Sequence, residues 1–532
     1  MSTLSFSDLP LISDYVKYWA QHQPDEEMLT HVETRLTARQ VEEQSAALAR
    51  ALMAAGVRHG DRVAVLGDPR PEFYVSFIAA VRIGATWQGL NPKYTDGELD
   101  HVTSDSRPSV LLGLSAEDRP KLAALASRVG LSGPIVVAGA EWDEFVRTGE
   151  SVTDVELQRA ERSVLPSDPA VLVYTSGTSG RPKGALLPHR GLVRCSAIQA
   201  ERWYEARPRM LCDLPINHVG SLGDISSSVV IAGGTVHYME RFDRVGVLEV
   251  IASERIEYWL AIPTMFLLAS RTPEWAGADL SSMKRAIWGG AAPPRDLVLE
   301  LQRRIPIVCT SYGMTETVGS VTYTDDDDDL ESLLETVGRP DPRYELRIAS
   351  PDGAVCGVGE AGEIQLRGDY IMLGYLNRPD ATREAIDDDG WLHTGDVGSW
   401  DDEGRVRLGG RLTDMFKSGG YNVYPREIEL ALEEHPQVAA ASVVSIPDEL
   451  YWEVGAGFVV AQGDPPTEEQ LRAFLRTKLA NYKIPKGLFI RAELPRLPIG
   501  KVDKRALRAI AEEAVATSSP ATATNAAERA DA

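Results

Sequence analysis

"YTSGTSGRPKG" occupies residues 174–184 and follows directly on the apolar run "AVLV" (170–173). Its eleven residues include three glycines, four Ser/Thr hydroxyls and Lys183. A strand that empties into such a loop offers backbone N–H groups and hydroxyls to phosphate oxygens, with a cation close by. The order is not that of a Walker-A loop. That motif needs glycine before its lysine and Ser/Thr after it, whereas Pro182 and Gly184 stand here. On these residues alone a different phosphate clamp and a plain turn both remain open, because Gly, Ser and Pro also build turns.

Upstream of this stretch the pattern alternates. "LTARQVEEQSAALARALMAAGV" (36–57) has helical spacing, "DRVAVLG" (61–67) predicts a strand, and "EFYVSFIAAVRIGA" (72–85) a helix. Strand–helix alternation argues for an α/β fold with helix-covered sheets. From 337 to 410 short alternating strands broken by Gly, Pro and Asp ("AGEIQLRG", "GRVRLGG") predict a small β-rich subdomain. Beyond 411, "PREIELALEEH", "VAAASVVSIP" and "EEQLRAFLRTKLA" predict a compact C-terminal α/β domain. The expected organisation is a large domain over 1–410, a hinge at 411–414, a small mobile domain over 415–512 and a disordered polar tail over 513–532.

At 532 residues, more than one domain is expected. The start, "MSTLSFSDLPLISDYVKYWA", lacks a basic n-region before an apolar core, and no apolar run is long enough to span a bilayer. The four cysteines (195, 212, 309, 356) form no CxxC, as expected of reduced thiols in a cytoplasmic protein. A net charge of −23 disfavours nucleic acid as a partner, so any polyanionic ligand must find a local positive site. The run "DDDDD" (325–329) lacks the glycine-punctuated spacing of a cation loop and predicts a solvated turn.

Further stretches give the opening motif its context. "LPINH" (214–218), "WGGAAPP" (288–294), "YGMTE" (312–316), "VGRP" (337–340), "WLHTGD" (391–396), "RLTDMFKSGGYNVYPREIE" (411–429) and "LPIGK" (497–501) follow it in order. With "YTSGTSGRPKG", this series resembles the adenylate-forming superfamily, of the acyl-CoA synthetase type, over residues 15 to 510. The resemblance implies a two-step reaction. A carboxylate attacks the α-phosphate of ATP and releases pyrophosphate, and a thiol then takes the acyl group from the adenylate. Bringing two anions together at ~4 Å costs about 4 kcal/mol at an effective dielectric of ~20. The site must therefore supply cations and oriented donors.

By resemblance, Thr175, Ser176, Gly177, Thr178 and Lys183 hold the β- and γ-phosphates, Thr315 meets the α-phosphate, and Glu316 takes Mg²⁺. Tyr312 would stack on adenine, with Gly290 and Ala291 along its other side. Asp396 and Arg411 would bind the ribose hydroxyls, as suits a carboxylate acceptor and a forked donor. Lys501 becomes the catalytic lysine between substrate carboxylate and α-phosphate, and His218 a gate at the acyl pocket. Gly419 and Gly420 would lie along the pantetheine arm of coenzyme A. Thr413 holds the hinge pivot, where the family more often has Lys or Asp.

By family position the acyl pocket draws on Val219, Gly220, Gly223, Pro263, Trp288, Gly313, Met314 and Val318. None is basic, so a hydrophobic monocarboxylate (fatty, aryl or cyclic) is expected. The expected activity is ATP-dependent acyl-CoA ligation with ATP, Mg²⁺ and coenzyme A. Arg405, Arg407, Lys417, Lys478, Lys483 and Lys486 would be available to the phosphates of coenzyme A. Two alternatives stay open: an acyl-AMP ligase loading a separate carrier protein, and a non-catalytic acyl or nucleotide binder. A homodimer is also left open.

Overall fold

The structure is a computed structural model and describes residues 9–32, 34–175, 182–412, 414–418, 421–448, 451–479, 481–497 and 502–518. Ser176, Gly177, Thr178, Thr413, Gly419, Gly420 and Lys501 lie outside these residues. The α/β expectation holds. By its internal contacts the chain divides into one unit of Met1–Arg347 with Gln365–Thr394 and a second of Ile348–Ile364 with Gly395–Ala532. This places Gly395–Gly410 with the second unit, whereas the sequence reading drew its boundary at 410/411.

In the first unit, a seven-stranded sheet is built around Arg62–Leu66, flanked by Thr86–Leu90 and Val110–Gly113 in parallel register. Helix Ala38–Ala54 starts where Thr37 and Gln40 satisfy each other's backbone N–H groups in a capping box. It buries Val41, Leu48 and Leu52 at helical spacing. Pro71 opens the next helix, Pro71–Val81, where its missing N–H costs nothing. This helix is buried almost throughout. Strand Pro169–Thr175 extends the sheet, parallel to Thr86–Leu90 and antiparallel to Lys183–Pro188, with the two-residue strand Gly374–Tyr375 at the edge.

A nine-stranded sheet in the same unit carries six neighbouring parallel strands, in the order Glu27–Thr30, Thr235–Tyr238, Arg209–Cys212, Tyr258–Ala261, Arg285–Trp288, Ile307–Met314. Strand Gly319–Tyr323 then returns antiparallel to Ile307–Met314. One face packs Leu211, Trp259, Ala261, Ala286 and Trp288 into a core with Phe266, Leu297 and Leu301.

The second unit has its own cores. Phe416, Val423, Ile428, Leu432, Val443, Val459, Leu471 and Leu475 form one, and Ile446, Phe458, Leu494 and Leu507 belong to another. They lie on a sheet in which Val438–Asp448 pairs with Trp452–Ala461, which in turn takes Gly487–Arg491 in parallel. Helices Pro425–Glu433 and Glu468–Lys478 bury Ile428 and Leu432, and Leu471 and Leu475, respectively. A four-stranded sheet (Glu345–Ala349, Gly362–Arg367, Trp391–Trp400, Val406–Arg411) contains the points where the chain passes from one unit to the other.

Candidate active site

The described ends of the opening motif belong to two strands, Pro169–Thr175 and Lys183–Pro188. Thr175 sits opposite Lys183, and Tyr174 opposite Gly184, in an antiparallel pair. A Walker-A loop runs instead from a strand into a helix, so the two clamps differ in backbone path as well as in residue order. Residues directly opposite share a face of the sheet, so the Thr175 hydroxyl and the Lys183 ammonium are presented together. Pro182 is tied down through its carbonyl, 2.9 Å from Nε2 of His101.

The other motif segments leave the carboxyl ends of neighbouring strands. "LPINH" follows Arg209–Cys212, Pro263 follows Tyr258–Ala261, "GGAA" follows Arg285–Trp288, and "YGMTE" ends Ile307–Met314. Crevices at the carboxyl ends of parallel strands are where open α/β sheets bind ligands. Trp288 pairs with Thr310, the last residue pair of this register, so the "GGAA" segment leaves its strand beside the one that carries Tyr312. A Cβ on Gly290 would meet nothing nearer than Ile262 Cγ2 at 3.9 Å, which leaves open space along this edge.

The turn after Tyr312 is tight. A Cβ on Gly313 would fall 2.0 Å from the carbonyl oxygen of Gly319, so only glycine fits there. Val318 holds a left-handed φ of 63°, unfavourable for a β-branched residue. Thr317 Oγ1 accepts from Met314 N at 2.8 Å and closes the short turn Thr315–Thr317. Glu316 emerges from it only 5% exposed. Its Oε1 accepts from Thr175 Oγ1 at 3.3 Å and from the Tyr375 hydroxyl at 2.8 Å, while its backbone oxygen accepts from Met372 N at 2.9 Å. Lys183 Nζ lies 4.6 Å from the centroid of the Tyr375 ring. Thr175, Lys183, Thr315 and Glu316 are thus brought into one neighbourhood. Tyr375 joins them, a residue that sequence reasoning missed. Its two-residue strand carries no local signature, and the pairing with Lys183–Pro188 is what places it.

His218 is exposed, and its Nδ1 accepts from Gly220 N at 3.1 Å at the start of the π-helix Gly220–Ser227. Val219, Gly220, Gly223, Pro263 and Val318 are buried, Met314 is half-buried and Gly313 is exposed. A Cβ on Gly223 would come 3.5 Å from the Val318 carbonyl, which puts these two segments side by side. Trp288 is 1% exposed and packs within the hydrophobic core. Two carboxyls that the sequence left unassigned are enclosed beside these segments, Asp213 buried and Asp224 half-buried. Burial raises Asp213 and Asp224 each to about 7. Asp213 accepts from Trp259 Nε1 at 3.0 Å, and Asp224 from Gln199.

In the second unit Asp396 and Arg411 are cross-strand partners, with Arg411 Nε 3.0 Å from Asp396 Oδ1. The structure therefore joins the acceptor and the forked donor expected at a ribose. Several small-domain cations are already engaged: Arg405 with Asp401, Lys478 with Glu434, Lys483 with Glu427 and Lys486 with Asp448. The three lysine pairs are partly exposed and worth at most about 1 kcal/mol each, whereas Arg405 and Asp401 are largely buried.

Residues 325–329 form a bonded turn and not merely a solvated one. Asp325 pairs with Arg339, Asp326 takes both terminal nitrogens of the buried Arg285, and Asp329 caps helix Leu330–Glu335. Among the described residues no group of three His, Cys, Asp or Glu gathers to cage a metal. The four cysteines are free and buried, and burial pushes their thiols up, that of Cys309 to about 11.

The profile of the AMP-binding enzyme family matches residues 16–376, and that of the AMP-binding enzyme C-terminal domain matches 427–501. The chain belongs to the AMP-binding enzyme family. It is 36% identical over 491 residues to a feruloyl-CoA synthase of Amycolatopsis sp., covering 92% of this chain and 96% of that one. It is 35% identical over 515 residues to the 3-[(3aS,4S,7aS)-7a-methyl-1,5-dioxo-octahydro-1H-inden-4-yl]propanoyl:CoA ligase of Mycobacterium tuberculosis, covering 94% and 99%. The crystal structure of ATP-bound MatB from Rhodopseudomonas palustris superposes with a TM-score of 0.81 at 28% identity, covering 94% and 99%. Both AMP-binding family segments contribute to the constellations described: Thr175, Lys183, Glu316 and Tyr375 fall within the first, and the cores of the second unit are built largely from the other.

Proposed function

We propose that this protein is an ATP-dependent, AMP-forming acid–CoA ligase acting on a hydrophobic monocarboxylic acid. The observation that carries the reading is the hydrogen bond from Thr175 to Glu316. It joins the end of the "YTSG" strand to "YGMTE", the segments that the resemblance gives to the leaving phosphates and to the metal.

Lys183 and the Thr175 hydroxyl supply a cation and a donor on one sheet face for the departing pyrophosphate. Thr315, held by the closed turn, offers a hydroxyl where charge develops on the α-phosphate. Glu316 suits Mg²⁺ that arrives on the nucleotide. This ion needs few protein carboxylates when phosphates and waters complete its shell, and a single buried acid, with no cage around it among the described residues, fits that demand. When bound, Mg²⁺ offsets the negative charge of the phosphates. Tyr312 and the open edge at Gly290–Ala291 take adenine, and Asp396 with Arg411 takes the ribose. Lys501 bridges substrate carboxylate and α-phosphate, Thr413 gives the pivot between the two half-reactions, and Gly419 and Gly420 let the thiol arm pass.

By family position His218 gates an acyl pocket that draws on Val219, Gly220, Gly223 and Val318. The two ligases described above act, by name, on feruloyl and bicyclic propanoyl groups, so ring acids head the panel of candidates. The test is AMP release with ATP, Mg²⁺ and CoA over ring and straight-chain acids, with thioester measured directly. Acid-dependent AMP and acyl-CoA are expected together. Thioester on a holo-carrier but none on CoA would move the assignment to a carrier-loading ligase, and no AMP with any acid would reduce it to a binder. Cytoplasmic localisation and a homodimer belong to the same reading, the latter checked by sedimentation.

A further inference from the structure

We propose that Tyr375 is a positioning residue that sets the phosphate-loop lysine and the Glu316 carboxylate as one unit. This rests on the nucleotide-binding reading of those two groups. Three adjacent strands make the arrangement. Thr175 lies opposite Lys183, and Tyr375 lies opposite Ala185, two residues further along the same strand. Residues two apart on a strand share a face, so Tyr375 is the diagonal neighbour of Lys183 and reaches it across the sheet. The backbone is pinned on both sides: Tyr375 N donates to Thr382 Oγ1 at 2.9 Å, and Leu376 N to the Gly184 carbonyl at 2.8 Å.

From this seat the side chain acts at both ends. Its hydroxyl donates to Glu316 Oε1, the oxygen that Thr175 also bonds, and the face of its ring attracts the Lys183 ammonium. Among the described residues both donors converge on Oε1, which leaves Oε2 to a cation arriving with the nucleotide. Ring and hydroxyl therefore have separable tasks. The hydroxyl fixes which carboxylate oxygen is presented. The ring holds an ammonium that would otherwise swing on a four-carbon stem.

The two tasks are separated by calorimetric titration of ATP onto the full chain at a series of Mg²⁺ concentrations, using Tyr375→Phe, Tyr375→Leu, Glu316→Gln and the double variant Glu316→Gln/Tyr375→Phe. Tyr375→Phe keeps the ring and should weaken ATP binding about tenfold at limiting Mg²⁺, the loss of one hydrogen bond to a charged group. Affinity should return as Mg²⁺ saturates. Tyr375→Leu should weaken binding further at every Mg²⁺ level. In the Glu316→Gln background, Tyr375→Phe should add nothing, because its hydroxyl acts through that carboxylate. The proposal is overturned if Tyr375→Phe matches the parent throughout. It is equally overturned if the loss is the same at all Mg²⁺ concentrations and persists in full without Glu316, as a merely structural role would give. Failure of the unaltered protein to bind ATP would instead overturn the nucleotide reading itself, and this inference with it.

Discussion

Asp213 stands at the end of strand Arg209–Cys212, 6% exposed, with one oxygen on the Trp259 indole and the other buried without a partner among the described residues. Burial raises its carboxyl from 3.8 to about 7. The folded state thus keeps a proton that the unfolded chain releases from about pH 4 upward. The associated stability is full below the unfolded value and is lost as pH rises toward 7. Between pH 5 and 7 this amounts to roughly 2–3 kcal/mol for the one group. Asp213→Asn, which cannot ionise, should show a correspondingly flatter dependence of its denaturation midpoint between pH 5 and 8, and parallel profiles would remove the assignment. Nothing local in "LCDLPINH" distinguishes this carboxyl from a solvated one. Its proton follows from burial by distant parts of the chain, against which the hydrogen bond from Trp259, 46 residues away, works only in part. Tyr375 was hidden in the same way. By contrast Thr175, Lys183 and Glu316 were legible, because their chemistry requires a fixed order of neighbours along the chain.

Two elements decide the geometry around the phosphates. The strand pair Pro169–Thr175 and Lys183–Pro188 sets Thr175 against Lys183, and the hairpin of Ile307–Met314 with Gly319–Tyr323 presents Glu316. The first follows from two apolar runs on either side of a Gly/Ser loop. The second depends on Gly313, where backbone from the returning strand closes to a distance that no side chain tolerates. Gly313→Ala is expected to cost about 1–3 kcal/mol, the usual penalty for forcing atoms into a packed site. Acid-dependent AMP release should fall more than this loss of stability explains, because the turn also carries Thr315 and Glu316. A thermal melt beside the rate measurement checks it, and an unchanged rate would show that the hairpin has slack. The predicted helices over 36–57 and 72–85 are observed as Ala38–Ala54 and Pro71–Val81. Capping by Thr37 starts the first two residues later, Pro71 starts the second one residue earlier, and both end sooner than the apolar spacing, at Ala54 and Val81.

Across the whole molecule, the residues proposed to face phosphate lie in one compact unit, while Asp396, Arg411 and the segment leading to Lys501 belong to the other. The proposed reaction divides accordingly. Lys501→Ala should nearly abolish acid-dependent pyrophosphate exchange, by a few hundredfold for one oriented donor of about 3–4 kcal/mol. It should still pass the acyl group from supplied acyl-adenylate to CoA. Equal loss of both half-reactions would sink the view that a moving second unit brings this lysine in for the first step alone. The ordered motifs by themselves determined the family and the α/β class, and they carry the proposal for the residues that would meet phosphate, because such groups must sit in a segment whose glycines, hydroxyls and charges are contiguous in the chain. What only the tertiary structure decided is which groups act together. Examples are Tyr375 with Glu316 and Lys183, and the acidic run with Arg285 and Arg339. These pairings arise from strand order and register, which bring together residues tens to more than a hundred positions apart, and no local pattern records them.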